Sequence, residues 1–513
     1  MRKTALLVAP VALVLSGCFS DPNDPQTWIK KLDDPRESKE AVRQLVKLKD
    51  KQAVAPLIEQ YKKTKDPEQL RAVASFADPS SVPVLIDALD FSESSYDAAS
   101  IAATALGEIG DKSALGALSK AAAKPLSIKS RANIVRVEAI KALIKMKDPR
   151  TVDTFISIVS RTADEQDFYL NKLAAQALGD VPDPKAVPAL VRGLFMTGRG
   201  GAADIYQPCR TALIAIGDPA VDKVVETLQR KNAEVEEDAK KYEFIPGIIV
   251  QKTSSILGDL RARRAVPALL EELKKPDEGL AAGEGKGVSG HQSIILALGQ
   301  IGDPSAVKPL AAIAADAKKP QKYRVAAGEA LNILGDQSAL PALAAIAKTK
   351  WLKGHDIDTD AAQLAASGIT SYSRLAGPKA PALGLPKIDP ELVEMVDVAK
   401  AGEDRIALAK ECGEDVACYG KALKDPNAAR VEKAAYSLSR LGKAALPELL
   451  KQIGNKDQGV RLTVLFGIGR IADGSCAECK KALDEQIAAD ESKGARMRGM
   501  VDEMHAVRAM LSH

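Results

Sequence analysis

The stretch Ala297-Leu298-Gly299-Gln300-Ile301-Gly302-Asp303-Pro304-Ser305-Ala306-Val307-Lys308-Pro309-Leu310 decides how this chain folds. Gly302 is suited to end a helix, because glycine adopts a left-handed backbone at little cost. Asp303 is suited to cap the next helix by accepting free backbone N–H groups, and Pro304 has no N–H to lose at the first helical position. The stretch therefore predicts a tight junction between two helices.

This junction recurs along the chain. A second full copy runs from Ala177 to Leu190, and shorter copies occupy residues 106–111 and 331–336. The residues equivalent to Asp303 follow one another along the chain at separations of 28 to 44 residues. They are Asp50, Asp78, Asp111, Asp148, Asp183, Asp218, Ala262 and Asp336. An Ala-rich helix precedes the junction, and a helix with apolar residues three and four apart follows it. One such pair is too small to bury its apolar face alone, so neighbouring pairs are predicted to stack into one core.

The repeated phrase resembles the HEAT repeat, in the short bacterial variety that also occurs in phycobilin lyases. The resemblance covers residues 28–347 and 396–513. It implies an all-α fold, an α-solenoid of stacked antiparallel helix hairpins, which serves mostly as a binding scaffold. Residues 348–395 break the period, and their Gly and Pro content predicts an irregular insertion or linker between the two blocks.

Composition favours the same fold class. Of the 513 residues 46% are hydrophobic but only 4% are aromatic, so Ala, Leu, Val and Ile must build the core, which suits close helix packing. The chain has 72 Lys and Arg against 68 Asp and Glu, a formal net charge of +4. That balance excludes a strong global field for nucleic acid, so we expect no nucleic-acid partner.

The N-terminus has the pattern of an export signal. Arg2 and Lys3 precede an apolar run from Ala5 to Leu15, which is shorter than the roughly 20 residues that a spanning helix needs. We therefore expect a signal peptide at residues 1–17. Leu15-Ser16-Gly17-Cys18 resembles the lipobox of bacterial lipoproteins, which implies cleavage before Cys18, diacylglycerol on its sulfur and an acylated N-terminus. The alternative is an ordinary signal peptide followed by an incidental cysteine.

The lipobox resemblance also implies a location. Acyl chains, at about 0.8 kcal/mol per buried CH₂, would hold the protein on a membrane essentially permanently. Phe19, rather than Asp, follows Cys18, and by analogy with enteric lipoproteins this favours transfer to the outer membrane. We expect a lipid-anchored protein of the cell envelope, on the periplasmic face of the outer membrane or at the cell surface, with an acylated tether at residues 18–27.

Insertions interrupt the other turn of the hairpins. They lie at residues 91–96, 196–204, 230–244, 276–291 and 351–388. Because each follows the first helix of its hairpin, solenoid geometry places them along one side, where a partner could touch several at once. The alternative is an edge that simply tolerates insertions.

Two insertions have distinctive compositions. The glycines between Gly279 and Gly290 lack the Gly-Lys-Ser/Thr ending of a P-loop, so they predict a flexible loop rather than a nucleotide site. The mixed-charge run from Arg230 to Lys241 predicts a solvated helix end rather than a recognition element.

Five cysteines remain after the lipidated one. Cys412 and Cys418 bracket a predicted hairpin turn, so a disulfide is expected between them outside the cytoplasm. Cys476 and Cys479 lie at a predicted helix start, where thiols have the lowered pKa used in redox exchange. No thioredoxin-like strand pattern surrounds them, which favours a small structural disulfide. Zinc held by all four sulfurs is an alternative that the spacing does not favour. Cys209 lies in an apolar helix and is predicted to be buried and free.

The sequence offers no catalytic constellation. His291, His355, His505 and His513 lie far apart, without metal-ligand spacing, and there is no Gly-x-Ser-x-Gly elbow. We therefore expect no catalytic residue, metal or cofactor, and a non-enzymatic scaffold whose concave helix face and insertion edge bind an envelope protein or peptide. Two alternatives remain open: a bilin-lyase-like enzyme or enzyme partner, and an assembly factor of an outer-membrane or secretion complex.

Overall fold

The computed structural model of the chain describes residues 21–92, 95–201, 203–281, 287–349 and 359–512. Cys18 and the expected signal peptide lie outside these ranges. Within them every regular element is a helix, and the single β-bridge joins Thr197 to Asp204. None of the described helices combines the length and the hydropathy that crossing a bilayer requires.

The chain divides into two compact units after Thr151. The helices of unit 1 are α1 (Pro25–Ile29), α2 (Ser38–Leu48), α3 (Val54–Thr64), α4 (Pro67–Ala74), α5 (Val82–Ala88), α6 (Tyr96–Ile109), α7 (Leu115–Ala123) and α8 (Asn133–Met146). Short 3₁₀ turns at its junctions span Lys51–Ala53, Pro79–Ser81, Lys112–Ala114 and Pro149–Thr151.

Unit 2 is the larger of the two. Its helices are α9 (Val152–Val159), α10 (Phe168–Asp180), α11 (Val187–Gly193), α12 (Tyr206–Ile216), α13 (Val221–Leu228), α14 (Ala233–Lys241), α15 (Ile248–Asp259), α16 (Val266–Glu272), α17 (Glu278–Ala281), α18 (Gly290–Ile301), α19 (Val307–Ala315), α20 (Gln321–Leu334), α21 (Leu340–Ala347), α22 (Thr359–Leu375), α23 (Val393–Cys412), α24 (Val416–Ala422), α25 (Ala428–Leu438), α26 (Leu446–Leu450), α27 (Gln458–Ile471), α28 (Ala477–Glu491) and α29 (Arg498–Met510). Its 3₁₀ turns span Pro184–Ala186, Arg199–Gly201, Asp218–Ala220, Arg263–Ala265, Pro304–Ala306, Gln337–Ala339, Lys443–Ala445 and Gly494–Met497.

The repeated phrase forms the predicted junction between helices. Gly302 ends α18 with φ +71°, a left-handed conformation that glycine adopts without steric cost. The Asp303 carboxylate accepts a hydrogen bond from the backbone N–H of Ser305 at 2.9 Å. The structure differs from the prediction in one detail, because Pro304–Ala306 forms a 3₁₀ turn and the α-helix begins only at Val307.

The helices of each unit stack in two layers. We name layer A the helices before each junction, which are α2, α4, α6 and α8 in unit 1 and α10, α12, α15, α18 and α20 in unit 2. Layer B contains the helices that follow the junctions. Layer A packs closely through small residues, since a Cβ on Gly107 would lie 2.8 Å from the Cα of Ala142, and one on Gly299 would lie 2.7 Å from the Cα of Ala330. The predicted all-α solenoid of stacked antiparallel hairpins is confirmed.

In unit 2 the C-terminal helices turn back onto layer A. Helix α29 packs against α12 through Ile214, Ala215, Ala506 and Ala509, none of which is more than 7% exposed. These residues form a small apolar cluster of their own, separate from the larger core that α23–α29 share. The array of helix pairs in unit 2 is therefore closed on itself between α12 and α29.

A buried guanidinium reinforces this closure. Arg210 of α12 donates two hydrogen bonds to the Asp259 carboxylate of α15, at 2.6 and 3.0 Å. It donates two more to the Glu503 carboxylate of α29, at 3.0 and 3.2 Å. Burial raises the pKa of Asp259 above its ordinary value, so its charged form depends on Arg210.

Helices α25 and α27 cover the end of α20 in the same way. The Tyr436 hydroxyl donates to the carbonyl oxygen of Asn332 at 2.7 Å, and Arg440 donates to the carbonyl oxygens of Asn332 and Ile333. Arg470 donates to the Ile333 carbonyl at 3.3 Å. These donors satisfy carbonyls that a helix end leaves free. In unit 2 the chain's own C-terminal repeats thus cover layer A at α12 and at the C-terminal end of α20.

The interval assigned to a linker contains a helix that the sequence did not predict. Helix α22 packs against α20, α21 and α23. The segment after it, residues 376–390, runs without regular structure, in agreement with its proline content. We call it the strap. The Tyr372 hydroxyl holds it by donating to the Pro381 carbonyl at 2.8 Å, and Lys433 donates to the Ala376 carbonyl at 2.7 Å.

Candidate binding surfaces

In unit 1 the layer A face carries a groove of about 470 Å³. Helices α4 and α6 form its walls, and Ile134 of α8 closes one end while remaining 42% exposed. The side chains of Asp97 and Glu108 line it, and neither has an ion-pair partner among the described residues. Its basic residue, Arg71, lies 3.5 Å from Glu68. The groove is therefore partly apolar and carries unpaired negative charge.

In unit 2 the insertions contact one another. Arg192 of α11 forms a bidentate pair with Asp238 of the 230–244 insertion, at 2.6 and 2.9 Å. Arg230 pairs with Glu236 and with Glu278, which belongs to the next insertion. The run predicted as a solvated helix end is thus helix α14, with Asp238 buried.

The glycine-rich insertion is fixed at both described ends by Asp277. Its carboxylate accepts from the backbone N–H groups of Gly279 and Gly290, each at 3.2 Å, and from the Ser289 hydroxyl at 2.8 Å. The Tyr323 hydroxyl also donates to it. Burial would raise the pKa of Asp277, but the Tyr323 and Ser289 hydrogen bonds hold it below its ordinary value. Residues 282–286, where flexibility was expected, lie outside the described ranges.

Further contacts join this insertion to its neighbours. The Val288 N–H donates to the Pro246 carbonyl at 3.0 Å, and a Cβ at Gly247 would lie 2.1 Å from the Val288 oxygen. The rings of Phe195 and Phe244 stack at 5.8 Å. The insertions at 230–244 and 276–291 are therefore in contact through Arg230 and Glu278, and Phe195, just before the 196–204 insertion, packs on Phe244. The 91–96 insertion belongs to unit 1, where Phe91 is buried.

The strap borders a larger cavity of about 800 Å³. Its floor is helix α23, with Val396 and Ile406, and its wall is the strap from Ala382 to Pro390. The charged groups at its rim are Lys400, Glu403 and Lys410. These charges are of both signs, so the cavity shows no electrostatic preference for one class of ligand.

The cysteines pair as the sequence favoured. Cys412 joins Cys418, with the Cα atoms 5.4 Å apart, and Cys476 joins Cys479, with the Cα atoms 5.3 Å apart. The zinc alternative would require these four sulfurs as free thiolates. Cys209 is fully buried and free, as predicted, and burial raises its thiol pKa far above the ordinary value. Cys18 lies outside the described ranges.

The two described histidines, His291 and His505, lie in separate surroundings. His291 lies against the ring of Tyr323, with the centroids 5.8 Å apart, and burial lowers its pKa. The imidazole of His505 is 3.6 Å from the Glu491 carboxylate. His355 and His513 lie outside the described ranges. Within those ranges no group of three His, Cys, Asp or Glu residues is arranged to hold a metal ion.

No protein-family model and no curated protein matches this chain. Solved structures do match. The complex of CpcE and CpcF of phycocyanin lyase from Nostoc sp. PCC7120 is 21% identical, over 51% of this chain and 92% of that one, with a TM-score of 0.24. Kap121p bound to Nup53p is 10% identical, over 94% and 52%, with a TM-score of 0.42. Human deoxyhypusine hydroxylase is 18% identical, over 57% and 96%, with a TM-score of 0.21. At these levels the likeness carries no argument about function.

Proposed function

We propose that this protein is a non-enzymatic scaffold of the bacterial cell envelope, anchored to a membrane through lipid on Cys18, which binds a protein or peptide in the groove of unit 1. The observation that carries the proposal is the groove itself. There layer A, which the C-terminal repeats cover at α12 and at the end of α20 in unit 2, is accessible. The groove combines exposed apolar surface at Ile134 with the carboxylates of Asp97 and Glu108.

The charges of the groove define the partner's chemistry. Two carboxylates without ion-pair partners among the described residues favour a segment with Lys or Arg side chains. The apolar contribution of Ile101 and Ile134 favours an aliphatic or aromatic side chain between those charges. The expected occupant is therefore a basic, amphipathic peptide segment of an envelope protein.

Site-specific photo-crosslinking in intact cells tests this proposal. A photoreactive phenylalanine analogue replaces Ile101 or Ile134, and a matched analogue replaces Leu462, which is 47% exposed on α27 of unit 2. We expect one crosslinked protein from both groove positions and none from Leu462. Glu108→Lys in the same cells should reduce the yield several-fold, because it reverses one recognising charge. Equal crosslinking from all three positions would reject the groove as the site.

Anchoring is tested separately. We expect metabolic labelling with a palmitate analogue to mark the wild-type chain and not Cys18→Ser, and the chain to leave the membrane fraction in that variant. The two disulfides support an oxidising compartment, where such bonds form and persist. Identifying the crosslinked partner also separates a free-standing scaffold from an assembly factor, since the latter would crosslink to subunits of one outer-membrane or secretion complex.

A further inference from the structure

Three arginine side chains of unit 2 converge where α27 meets the ends of α15 and α20. Arg440 of α25 and Arg470 of α27 both donate to the carbonyl oxygen of Ile333, at 3.0 and 3.3 Å, so their guanidinium groups lie side by side. The third, Arg261, follows the end of α15. Its guanidinium lies 5.9 Å from the ring centroid of Phe466, which precedes Arg470 by one turn of α27. We call Arg261, Arg440 and Arg470 the arginine cluster.

The arginine cluster has no carboxylate of its own. Among the described residues none forms an ion pair with any of its three members, and the carboxylate nearest in effect, Asp259, is already bound by Arg210. The Arg261 guanidinium also has no hydrogen-bond acceptor in the described part of the chain, and the Nε of Arg440 is buried without one. Other enclosed arginines of unit 2 pair with carboxylates, as in Arg405–Glu432 and Arg461–Asp490. A cationic donor without an acceptor in the protein favours an acceptor from outside.

The helix ends beside the arginine cluster offset only part of its charge. A helix C-terminus carries about half a negative charge, so the ends of α15 and α20 together supply about one against three positive charges. Burial and the positive charge of Arg470 lower the pKa of Arg261 to about 10. Burial also lowers the pKa of Arg440 to about 10, and Arg470 acts in the same direction. Most of the positive charge is therefore uncompensated, and an anion with more than one negative charge would relieve the repulsion.

We propose that the arginine cluster binds a phosphate-class oxyanion, as free phosphate or as the phosphate monoester of a larger molecule, independently of any partner in the unit 1 groove. Guanidinium groups present paired N–H donors that match two oxygens of a phosphate, and a phosphate monoester carries about −1.5 to −2 charges at pH 7. Arg470 is exposed and Arg261 is partly exposed, so both are open to an anion from solvent. The terminal nitrogens of Arg440 are held by backbone carbonyls and by the Ser439 hydroxyl, which fixes its charge beside them.

Equilibrium dialysis of the full chain against radiolabelled inorganic phosphate, at constant ionic strength, tests the proposal. We expect one saturable site per chain, and at least about 10-fold weaker binding by Arg470→Gln, which removes an exposed charged donor. The matched control is Arg264→Gln, because Arg264 lies in the same junction as Arg261 but pairs with Asp218 and Asp222. It should weaken binding less than about 2-fold. Absence of a saturable site, or equal weakening by the two variants, would overturn the proposal.

Chemical modification of the wild-type chain avoids any effect of a substitution on folding. Phenylglyoxal modifies accessible guanidinium groups, and peptide mass spectrometry follows each arginine. We expect inorganic phosphate to slow the modification of Arg261 and Arg470 but not of Arg264, which controls for direct effects of phosphate on the reagent. Vesicles distinguish the source of the phosphate. Stronger protection by phosphatidic acid vesicles than by phosphatidylcholine vesicles would identify a lipid headgroup, and equal effects of the two would identify a soluble anion. Equal protection of all three arginines by phosphate, or of none, would reject the site.

Discussion

The layer A faces of the two units are built from the same repeated phrase but differ in their exposure to solvent. Glu108 of unit 1 and Ala215 of unit 2 occupy the same place, two residues before the glycine that ends their helices, Gly110 and Gly217. Glu108 is exposed in the groove, whereas Ala215 is 2% exposed beneath α29. The difference shows that one side chain per repeat, rather than the repeat itself, determines whether a layer A face meets solvent or another part of the chain.

The largest expected effect on stability comes from Arg210, the buried charge on the face of unit 2 that α29 covers. Arg210→Met removes the guanidinium from Asp259 and leaves an unpaired carboxylate that is only 10% exposed, so we expect a loss of about 3–5 kcal/mol in the free energy of unfolding. Glu503→Gln changes the exposed end of the same network and should cost at most about 1 kcal/mol. Urea unfolding of unit 2 measures both. Similar losses in the two variants would show that Arg210 does not serve mainly to neutralise Asp259.

Exchanging the residues at the equivalent positions tests the comparison directly. Ala215→Glu buries a carboxylate among Ile214, Ala506 and Ala509, and we expect it to cost about 2–4 kcal/mol or to displace α29. Glu108→Ala on the accessible face should change stability by no more than about 0.5 kcal/mol. Thermal unfolding gives the stabilities, and limited proteolysis detects a released α29. Tolerance of Ala215→Glu without release would contradict the closed array.

The close helix approaches should be equally sensitive in both units. Gly107→Ala and Gly299→Ala each place a Cβ within 3 Å of a neighbouring backbone, so we expect each to cost about 1–3 kcal/mol. Gly116→Ala, which meets nothing within 4 Å in α7, should instead stabilise by about 0.4–1 kcal/mol. A calorimetric scan of the three variants checks this. A much smaller cost for Gly107→Ala than for Gly299→Ala would mean that unit 1 packs less tightly.

The smallest effect is a pH dependence within the closed unit. Lys433 is 2% exposed, and desolvation, aided by Arg440 and Arg405, lowers its pKa to about 7. Above that pH the folded chain releases a proton that the unfolded chain keeps, so stability rises with pH. We expect wild type to gain about 1 kcal/mol relative to Lys433→Met between pH 7 and pH 8, and nothing below pH 6. Lys424→Met, at an exposed position, should show no such difference in urea unfolding.

The sequence predicted what local chemistry determines. Gly302 and Asp303 define the junction, and the short spacings of Cys412–Cys418 and Cys476–Cys479 define the disulfides. Closure was not predicted, because it depends on small rotations that accumulate over many helix pairs. A signal was nevertheless present, since Arg210 is the one charged residue of Tyr206–Ile216 and Ala215 stands where most other copies have a polar residue. Helix α22 was missed because the prolines that follow it dominate the interval.

The contact of α29 with α12 also limits how this chain can change in length. The closure needs the right number of hairpins between α12 and α29, so duplication or loss of one pair within that stretch would separate Glu503 from Arg210. The described helices of unit 1 show no fold-back contact of this extent, and in an open array each repeat contacts only its neighbours. A change in repeat number in unit 1 therefore meets no such constraint, whereas the stretch from α12 to α29 must keep its number of pairs.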